Sequence, residues 1–184
     1  MNAHLLPSGS AYFLAAETQK PERHTLSVLV DNEPGILARV VGLFSARGYN
    51  IDSLTVSETE HEKGLSRITV VTVATPKVLT QIKLQLERLV PVHRVHDLTE
   101  EGKALERELA LIKVASTGDQ RAEALRLADA FRAQIVDATV ESFVFEVTGK
   151  PTKIDSFIDL MRPLGLVEVV RTGLAAIGRG AERM

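Results

Sequence analysis

Apolar residues near the start of the chain first alternate with other residues and then change to a helical period. Leu26, Val28 and Val30 are spaced two apart, which places their side chains on one face of a strand. The apolar residues that follow recur every three or four positions, as they do on the buried face of a helix. These residues are Ile36, Leu37, Val40, Val41, Leu43 and Phe44. The pattern predicts a strand followed by an amphipathic helix that ends at Gly48, because glycine suits the left-handed conformation past a helix end.

Two further strands, a second helix and a fourth strand follow and complete one α+β unit. Pro76 is suited to the first turn of the second helix, where its missing N–H is not needed. The third strand is dense in β-branched residues, which strands favour. The predicted strands cover residues 24–31, 49–57, 65–75 and 91–98. With its two helices this order is βαββαβ, the ferredoxin-like arrangement.

The same order of strands and helices recurs in the second half of the chain. Residues 100–108 are charged and contain Gly102, so this stretch is predicted to be a linker. Beyond it, the pattern predicts strands over 109–116, 134–140, 142–148 and 166–171 and helices over 118–133 and 151–164. The predicted fold class is therefore α+β, with two successive ferredoxin-like βαββαβ units over residues 24–99 and 109–184. Residues 1–23 are predicted to be a flexible N-terminal arm.

The composition argues against several classes of function. The sequence contains no Cys, which removes disulfides, thiolate catalysis and cysteine-ligated zinc. Its formal net charge is -2, so it lacks the basic excess typical of proteins that bind nucleic acid or anionic membranes. No apolar run approaches the roughly 18 residues of a spanning helix, and the short run at 11–16 lacks the basic segment that precedes a signal sequence. We therefore expect a cytoplasmic protein with no nucleic-acid and no membrane partner.

The junction between the first strand and the first helix is a candidate binding loop. The free N–H groups of a helix start favour a carboxylate. Gly35 has no side chain, so a ligand could approach the backbone, and the Asn32 amide offers both a donor and an acceptor. Together these groups could bind the ammonium and carboxylate of an amino acid. The alternative is that Asn32 only caps the helix and Gly35 only eases the turn, and the local sequence leaves both interpretations open.

Asn50, at the start of the second predicted strand, is another candidate binding residue. Asparagine is uncommon in strands, so its presence there suggests a polar role. It is either a ligand group, a contact to another chain, or a turn residue that is satisfied locally. The sequence around it does not decide among the three.

Side chains that could carry enzyme chemistry do not converge. His93 and His96 lie three apart on a predicted strand, so they point to opposite sides and are interpreted as surface histidines. The run Glu106-Arg107-Glu108 is typical of a solvent-facing stretch. We expect no catalytic residue, no metal site and no cofactor in this chain. Four arginines of the second unit form either a contact surface or scattered solubilising charge, namely Arg126, Arg132, Arg171 and Arg179.

Several separated motifs match one protein family in the same order. In the first unit they are 31–40 (DNEPGILARV), 42–54 (GLFSARGYNIDSL), 65–69 and 81–95; in the second they are 131–137 (FRAQIVD) and 168–180, which begins EVVRTG. With these motifs the chain resembles the small subunits of acetolactate synthase, whose first unit is an ACT domain. The resemblance covers nearly everything from residue 24 to residue 180.

The resemblance implies a role, a partner and an effector. The chain would be a non-catalytic regulatory subunit that activates the catalytic (large) subunit of acetolactate synthase and confers valine feedback inhibition on branched-chain amino-acid biosynthesis. Thiamine diphosphate, Mg²⁺ and FAD would belong to that catalytic partner, and this chain would hold none of them. The regulatory chain would form a homodimer through its ACT domains. The alternative is a free-standing ACT-domain amino-acid sensor that regulates another partner.

In the family, valine binds where two ACT domains pair, and the resemblance assigns that site residue by residue. Ile36 and Leu37 are expected to contribute backbone groups. Two departures from the family pattern are that the segment before His24 is longer than in compact members and that position 34 varies among members. The implied valine-binding residues are Asn32, Pro34, Gly35, Ile36 and Leu37 from one chain, with Asn50 and Ile51 from the other.

Overall fold

The computed structural model describes residues 20–60, 63–100 and 104–181, which form two α+β units. The first unit contains β1 (Glu22–Asp31), α1 (Ile36–Ala46), β2 (Ser53–Glu60), β3 (Leu65–Ala74), α2 (Pro76–Glu87) and β4 (Val92–Asp97). The second contains β5 (Ala104–Ala115), α3 (Gly118–Ala130), β6 (Gln134–Ala138), β7 (Ser142–Gly149), α4 (Pro151–Met161), a 3-10 turn (Arg162–Leu164), β8 (Leu166–Arg171) and β9 (Ala175–Gly178). The order βαββαβ occurs twice, and the predicted fold class is confirmed.

The first sheet has the strand order β2-β3-β1-β4, and each neighbouring pair is antiparallel. Leu26 lies opposite Val70 and Val28 opposite Ile68, and all four side chains are fully buried. Phe44 of α1 belongs to the same apolar cluster. The alternation that predicted β1 therefore marks the face of the sheet that the helices cover.

The second sheet has the order β6-β7-β5-β8, and β9 pairs with the first residues of β5. Its core contains Ile112, Phe145 and Phe157, all fully buried, and it is separate from the core of the first unit. The rings of Phe145 and Phe157 meet edge to face with centroids 6.0 Å apart. Each unit therefore has a core of its own, as a domain requires.

The second strand begins later than the apolar pattern predicts. The prediction placed it from residue 49, whereas β2 starts at Ser53. The Tyr49 N–H donates to Phe44 O at 3.0 Å, and the Tyr49 ring meets the Phe44 ring with centroids 6.1 Å apart. Tyr49 therefore closes the end of α1. Pairing with β3 begins near Asp52, whose N–H donates to Val71 O at 2.8 Å.

The predicted linker is partly strand. Residues 104–107 pair with β9, from Ala104 opposite Gly178 to Arg107 opposite Ala175, so the prediction of a linker over 100–108 is wrong from residue 104 onward. The charged residues of this stretch suggested exposure to solvent, but Glu106 has partners far away in the sequence. It accepts from Thr25 Oγ1 at 2.7 Å and from Arg23 at 3.2 Å. The predicted N-terminal arm, 1–23, lies mostly outside the described residues, and its last two residues are already part of β1.

The two units are in contact through the outer face of the first sheet. The segment after β8 lies against this face and joins a small buried cluster of its own. The cluster consists of Val71, Leu98, Leu174 and Ala176, with Ala104 packed against it. None of the helices in the described ranges is long and apolar enough to cross a membrane.

Candidate functional site

The loop between β1 and α1 is anchored by backbone hydrogen bonds to two neighbouring segments. The Asp31 N–H donates to Pro91 O at 2.9 Å, and the Asn32 N–H donates to Gly64 O at 2.6 Å. The Asp31 side chain accepts from His93 Nε2 at 2.6 Å. Nothing in the local sequence indicates these partners, because Gly64 and Pro91 reach the loop only through the sheet topology. The entrance to α1 is therefore held in place from both sides.

The start of α1 has no side-chain cap. Its N-cap residue is Gly35, with φ of 87°, a left-handed conformation that favours glycine over residues with a Cβ. Asn32 makes no capping hydrogen bond, so the interpretation of Asn32 as the helix cap is not supported. The Ile36 N–H donates to Glu33 O at 3.3 Å. In the part of the chain that the structure describes, no intramolecular acceptor serves the N–H groups of Leu37 and the residue after it. These groups remain for an external acceptor such as a carboxylate.

The exposure of the predicted loop residues decides which of their atoms a ligand could reach. Asn32, Pro34 and Gly35 are exposed, and a Cβ placed on Gly35 would meet nothing within 4 Å. Leu37 is 39% exposed and offers apolar surface beside the helix start. The Ile36 side chain is buried in the core, so only its backbone could take part. The structure therefore brings the five predicted loop residues together around one uncapped helix entrance.

Glu33 is a loop residue that the sequence analysis did not assign. Its carboxylate accepts from Arg39 Nη1 at 2.9 Å, and both side chains are about half exposed. An exposed pair of this kind contributes little stability. The ion pair does place the positive charge of Arg39 beside the Glu33 carboxylate. This charge lowers the repulsion between Glu33 and the carboxylate of a ligand at the helix start.

Asn50 and Ile51 lie at the other end of the sheet from this loop. Asn50 is exposed, its carbonyl accepts from Thr72 Oγ1 at 2.6 Å, and Ile51 packs against the core. Thr72 is near the end of β3, whereas Gly64, which holds the loop, precedes its start. β3 has 10 residues. At roughly 3.3 Å per residue, the loop and Asn50 are about 25 Å apart within one chain. A single amino acid cannot contact both sites in the same chain.

The second unit has an ion-pair cluster where the sequence predicted solvated charges. Arg171 donates to Glu108 Oε2 at 2.6 Å, to Glu108 Oε1 at 2.8 Å and to Asp155 Oδ1 at 2.7 Å. The hydrogen bonds to Glu108 are the main cause that raises the pKa of Arg171 above its ordinary value. Glu108 is only 7% exposed, so its prediction as a solvent-facing residue is wrong. Arg171 is bound within the chain and is neither free contact surface nor scattered charge.

The described residues contain no group of three or more His, Asp or Glu side chains that could hold a metal ion. His93 pairs with Asp31 at the binding loop, and His24 Nδ1–H donates to Asp97 Oδ2 at 2.9 Å in a buried pair. Both pairs join β1 to β4, but at opposite ends of these strands, so they do not form a common constellation.

Two family models match the chain, one for each unit. The AHAS small subunit-like ACT domain matches residues 26–94, and the small subunit of acetolactate synthase matches residues 107–180. The described fold and loop are thus those of an ACT domain followed by a second ferredoxin-like domain.

Curated relatives and a solved structure match over nearly their whole length. A probable acetolactate synthase small subunit of Archaeoglobus fulgidus is 47% identical over 161 residues, which is 88% of this chain and 99% of the relative. The acetolactate synthase isozyme 3 small subunit of Escherichia coli is 45% identical over 163 residues, again 88% and 99%. The crystal structure of the acetolactate synthase small subunit from Thermotoga maritima superposes with a TM-score of 0.78 at 37% identity, covering 88% of this chain and 99% of that one. The chain belongs to the acetolactate synthase small subunit family, and the predicted resemblance is confirmed.

Proposed function

We propose that this chain is the regulatory subunit of an acetolactate synthase, which activates the catalytic (large) subunit and makes it sensitive to valine. The observation that carries the proposal is the distance between the loop and Asn50. Two clusters of predicted ligand groups about 25 Å apart in one chain form a single site only if a second chain supplies one of them. A regulatory ligand held between two chains can then act on how those chains are arranged.

The open edge of the first sheet supports a dimer that would build such a site. Among the described residues, β2 is an edge strand with one side unpaired, and natural proteins commonly cover such edges. If two β2 strands pair antiparallel about a two-fold axis, the start of one strand lies beside the end of the other. The end of β2 is next to Gly64, because Glu60 pairs with Leu65. Asn50 of one chain then lies near the β1–α1 loop of its partner.

The loop offers complementary groups for valine. The ligand carboxylate would accept from the backbone N–H groups at the start of α1, beside Gly35. The Asn32 amide would bind the polar end of the ligand together with Asn50 of the second chain. The isopropyl group would contact exposed apolar surface such as Leu37, with Pro34 and Ile51 of the two chains at its borders. These contacts account for each residue assigned to the valine site.

Inhibition would follow from a difference in affinity between two arrangements of the dimer. The valine-free dimer would hold the catalytic subunit in its active geometry, and valine would shift the population away from it. The catalytic partner would carry thiamine diphosphate, Mg²⁺ and FAD and condense pyruvate with a second 2-oxo acid in the cytoplasm. This chain would hold no cofactor. The match of the second unit to the small-subunit family favours this function over that of a free-standing ACT sensor.

The first experiment tests the role and the partner. The purified chain is titrated into the purified catalytic subunit, and acetolactate formation is followed with and without valine. We expect formation to rise with the added chain and to fall when valine is present. A synthase that is indifferent to the chain would refute the proposal, and stimulation without any valine effect would leave only the activating part of it.

The second experiment tests whether two chains share one site. Asn50→Ala and Gly35→Asp are prepared as separate proteins, and each is expected to bind valine weakly. In a mixed dimer, one site carries both changes and the other carries neither. Equal mixing with exchange of chains should therefore restore valine binding at about a quarter of all sites, as two-fold symmetry dictates. No recovery in the mixture, with exchange verified, would show that the two residues do not share a site across chains.

A further inference from the structure

β2 is joined to the second unit by two side-chain hydrogen bonds to one residue. The Leu174 N–H donates to Ser53 Oγ at 2.9 Å, and Thr55 Oγ1 donates to Leu174 O at 2.8 Å. Both hydroxyls lie on the outer face of the first sheet, two residues apart on the same strand. They satisfy the two backbone polar groups of Leu174 as a neighbouring strand would. We name these two hydrogen bonds the Leu174 contact.

The Leu174 contact is closely packed. Gly173 has φ of 83°, and a Cβ placed on it would lie 2.8 Å from Thr55 Cγ2 and 3.0 Å from Ser53 Oγ. The Leu174 side chain is only 2% exposed and packs in the cluster that contains Val71. A movement of β2 must therefore either carry this segment with it or break the two hydrogen bonds.

The same stretch of chain contains the residue predicted to reach the partner's valine. Asn50 and Ser53 are separated by two residues. The Asn50 carbonyl accepts from Thr72 Oγ1 at 2.6 Å, and the Asp52 N–H donates to Val71 O at 2.8 Å. The entry to β2 is thus fixed to β3 on both sides of Ile51. A displacement of Asn50 therefore strains the hydrogen bonds that join this stretch to Thr72 and Val71, next to Ser53.

On its other side, Leu174 is held by the second sheet. Thr172, two residues before it, donates its N–H to Leu109 O at 3.0 Å, and Arg171 is paired with Glu108 on β5. The residues after Leu174 form β9, which pairs with β5. Leu174 is therefore attached to the second unit by the residues on both sides of it. A cleft of about 460 Å³, lined in part by Ser53 and Gly173, borders the contact.

We propose that Ser53 and Thr55 are positioning residues that transmit the state of the valine site to the second unit through the Leu174 contact. The proposal rests on the proposed function and adds the path by which valine binding in the first unit affects the second unit. Valine bound by Asn50 shifts the entry of β2, and the two hydroxyls pass that shift to Leu174. The second unit then takes up the orientation that the catalytic subunit senses. Neither hydroxyl touches the ligand.

The test removes the two hydroxyls and measures binding and inhibition separately. The variant Ser53→Ala with Thr55→Val keeps the shape of both side chains closely. Ser57→Ala, on the same face of the same strand and exposed, is the matched control. Valine binding to the full-length dimer is measured by calorimetry, and valine inhibition is measured on the holoenzyme reconstituted with the catalytic subunit. Gly173→Ala is a second variant, because its methyl group should separate Leu174 from β2 without changing either hydroxyl.

We expect the double variant and Gly173→Ala to bind valine within about twofold of the unchanged chain and to stimulate the catalytic subunit normally. The valine concentration for half inhibition should rise about tenfold, which lies in the usual range of coupling between sites. Ser57→Ala should change neither quantity. Inhibition that stays at its original valine concentration in both variants overturns the proposal. So does a parallel loss of binding and inhibition in folded variants, because the hydroxyls would then act on the valine site itself. An unchanged dimer that binds no valine would instead refute the proposed function, and the two failures are thus distinguished.

Discussion

Gly35 provides the sharpest test of the binding loop, because one substitution there adds charge and a matched one does not. Gly35→Asp places a carboxylate at the uncapped start of α1, where the ligand carboxylate is proposed to bind. Gly35→Asn adds a side chain of nearly the same size without the charge. Both variants must take up the left-handed φ of 87°. This conformation costs an L-residue about 1–2 kcal/mol, and asparagine and aspartate tolerate it best. The strain is therefore shared by the two variants and cancels in their comparison.

The expected difference between the two variants follows from Coulomb's law. Two carboxylates about 5 Å apart repel each other by about 0.8 kcal/mol in bulk water and by about 3 kcal/mol at the effective dielectric of a protein surface. These energies correspond to a loss of valine affinity of roughly 4-fold to 150-fold in Gly35→Asp beyond that in Gly35→Asn. Because the loop is exposed, salt screens this repulsion. We therefore expect a loss in the lower part of this range at high salt and a larger loss at low salt.

The assay compares valine binding by calorimetry and valine inhibition of the reconstituted holoenzyme for both variants. We expect Gly35→Asp to abolish inhibition while stimulation of the catalytic subunit survives, and Gly35→Asn to retain part of the sensitivity. Thermal unfolding of both dimers without valine controls for the shared strain. Equal valine affinity in the two variants at low salt would mean that no ligand carboxylate lies at this helix start. Full sensitivity in Gly35→Asp would refute the site altogether.

Three further predictions concern the second unit. Phe145→Ala removes a fully buried ring from its core and should lower the free energy of unfolding by about 3–5 kcal/mol in a denaturant titration. Arg171→Ala leaves the buried Glu108 carboxylate without its cation; because Arg171 itself is about one-third exposed, we expect a loss of about 2 kcal/mol, largely recovered by adding Glu108→Gln. The hydrogen bond from Lys113 lowers the pKa of Glu168, so this pair stabilises the fold above the ordinary carboxyl pKa, and that contribution is lost as the pH falls through the lowered value. NMR titration should show the Glu168 pKa returning toward its ordinary value in Lys113→Met, and an unchanged pKa would contradict the pairing.

Local patterns predicted most of the fold because the elements are defined by their own residues. The period of two in Leu26, Val28 and Val30 corresponds to buried positions, and Ile36, Val40 and Phe44 of the α1 apolar face are buried, whereas Leu37 is exposed. The order of elements followed directly from these patterns. The ends of the elements were less well predicted. Tyr49 is a residue type that strands favour, but it packs on Phe44 at the end of α1.

The predicted linker was wrong for a different reason. A charged residue is a sign of solvent exposure only when no oppositely charged residue pairs with it in the fold. The arginines that pair with Glu106 and Glu108 lie 83 and 63 residues away in the sequence. No sequence spacing indicates such pairs. The same limit applies to the binding loop, whose anchors at Gly64 and Pro91 are backbone carbonyls without any residue signature.

The candidate site shows what the sequence and the structure each contribute. Gly35 and Asn50 were singled out from residue type and resemblance, but their distance could not be obtained from spacing along the chain. That distance depends on the register of β3 against its neighbours, which places Gly64 at one end and Thr72 at the other. The assignment of the valine residues stays a prediction until the mixed dimer is measured.

The outer face of the first sheet has a consequence for work with fragments. Thr25, Ser27, Thr69 and Val71 are almost completely buried in the full chain. A truncated protein that ends near residue 100 would lose the β5 and β9 segments and Leu174, and water would reach the apolar part of this face. Such a fragment should self-associate or precipitate more readily than the intact protein. The assembly state of this fragment in solution would then reflect the exposure of a face that the second unit normally covers. It would not reflect the natural pairing of the domain.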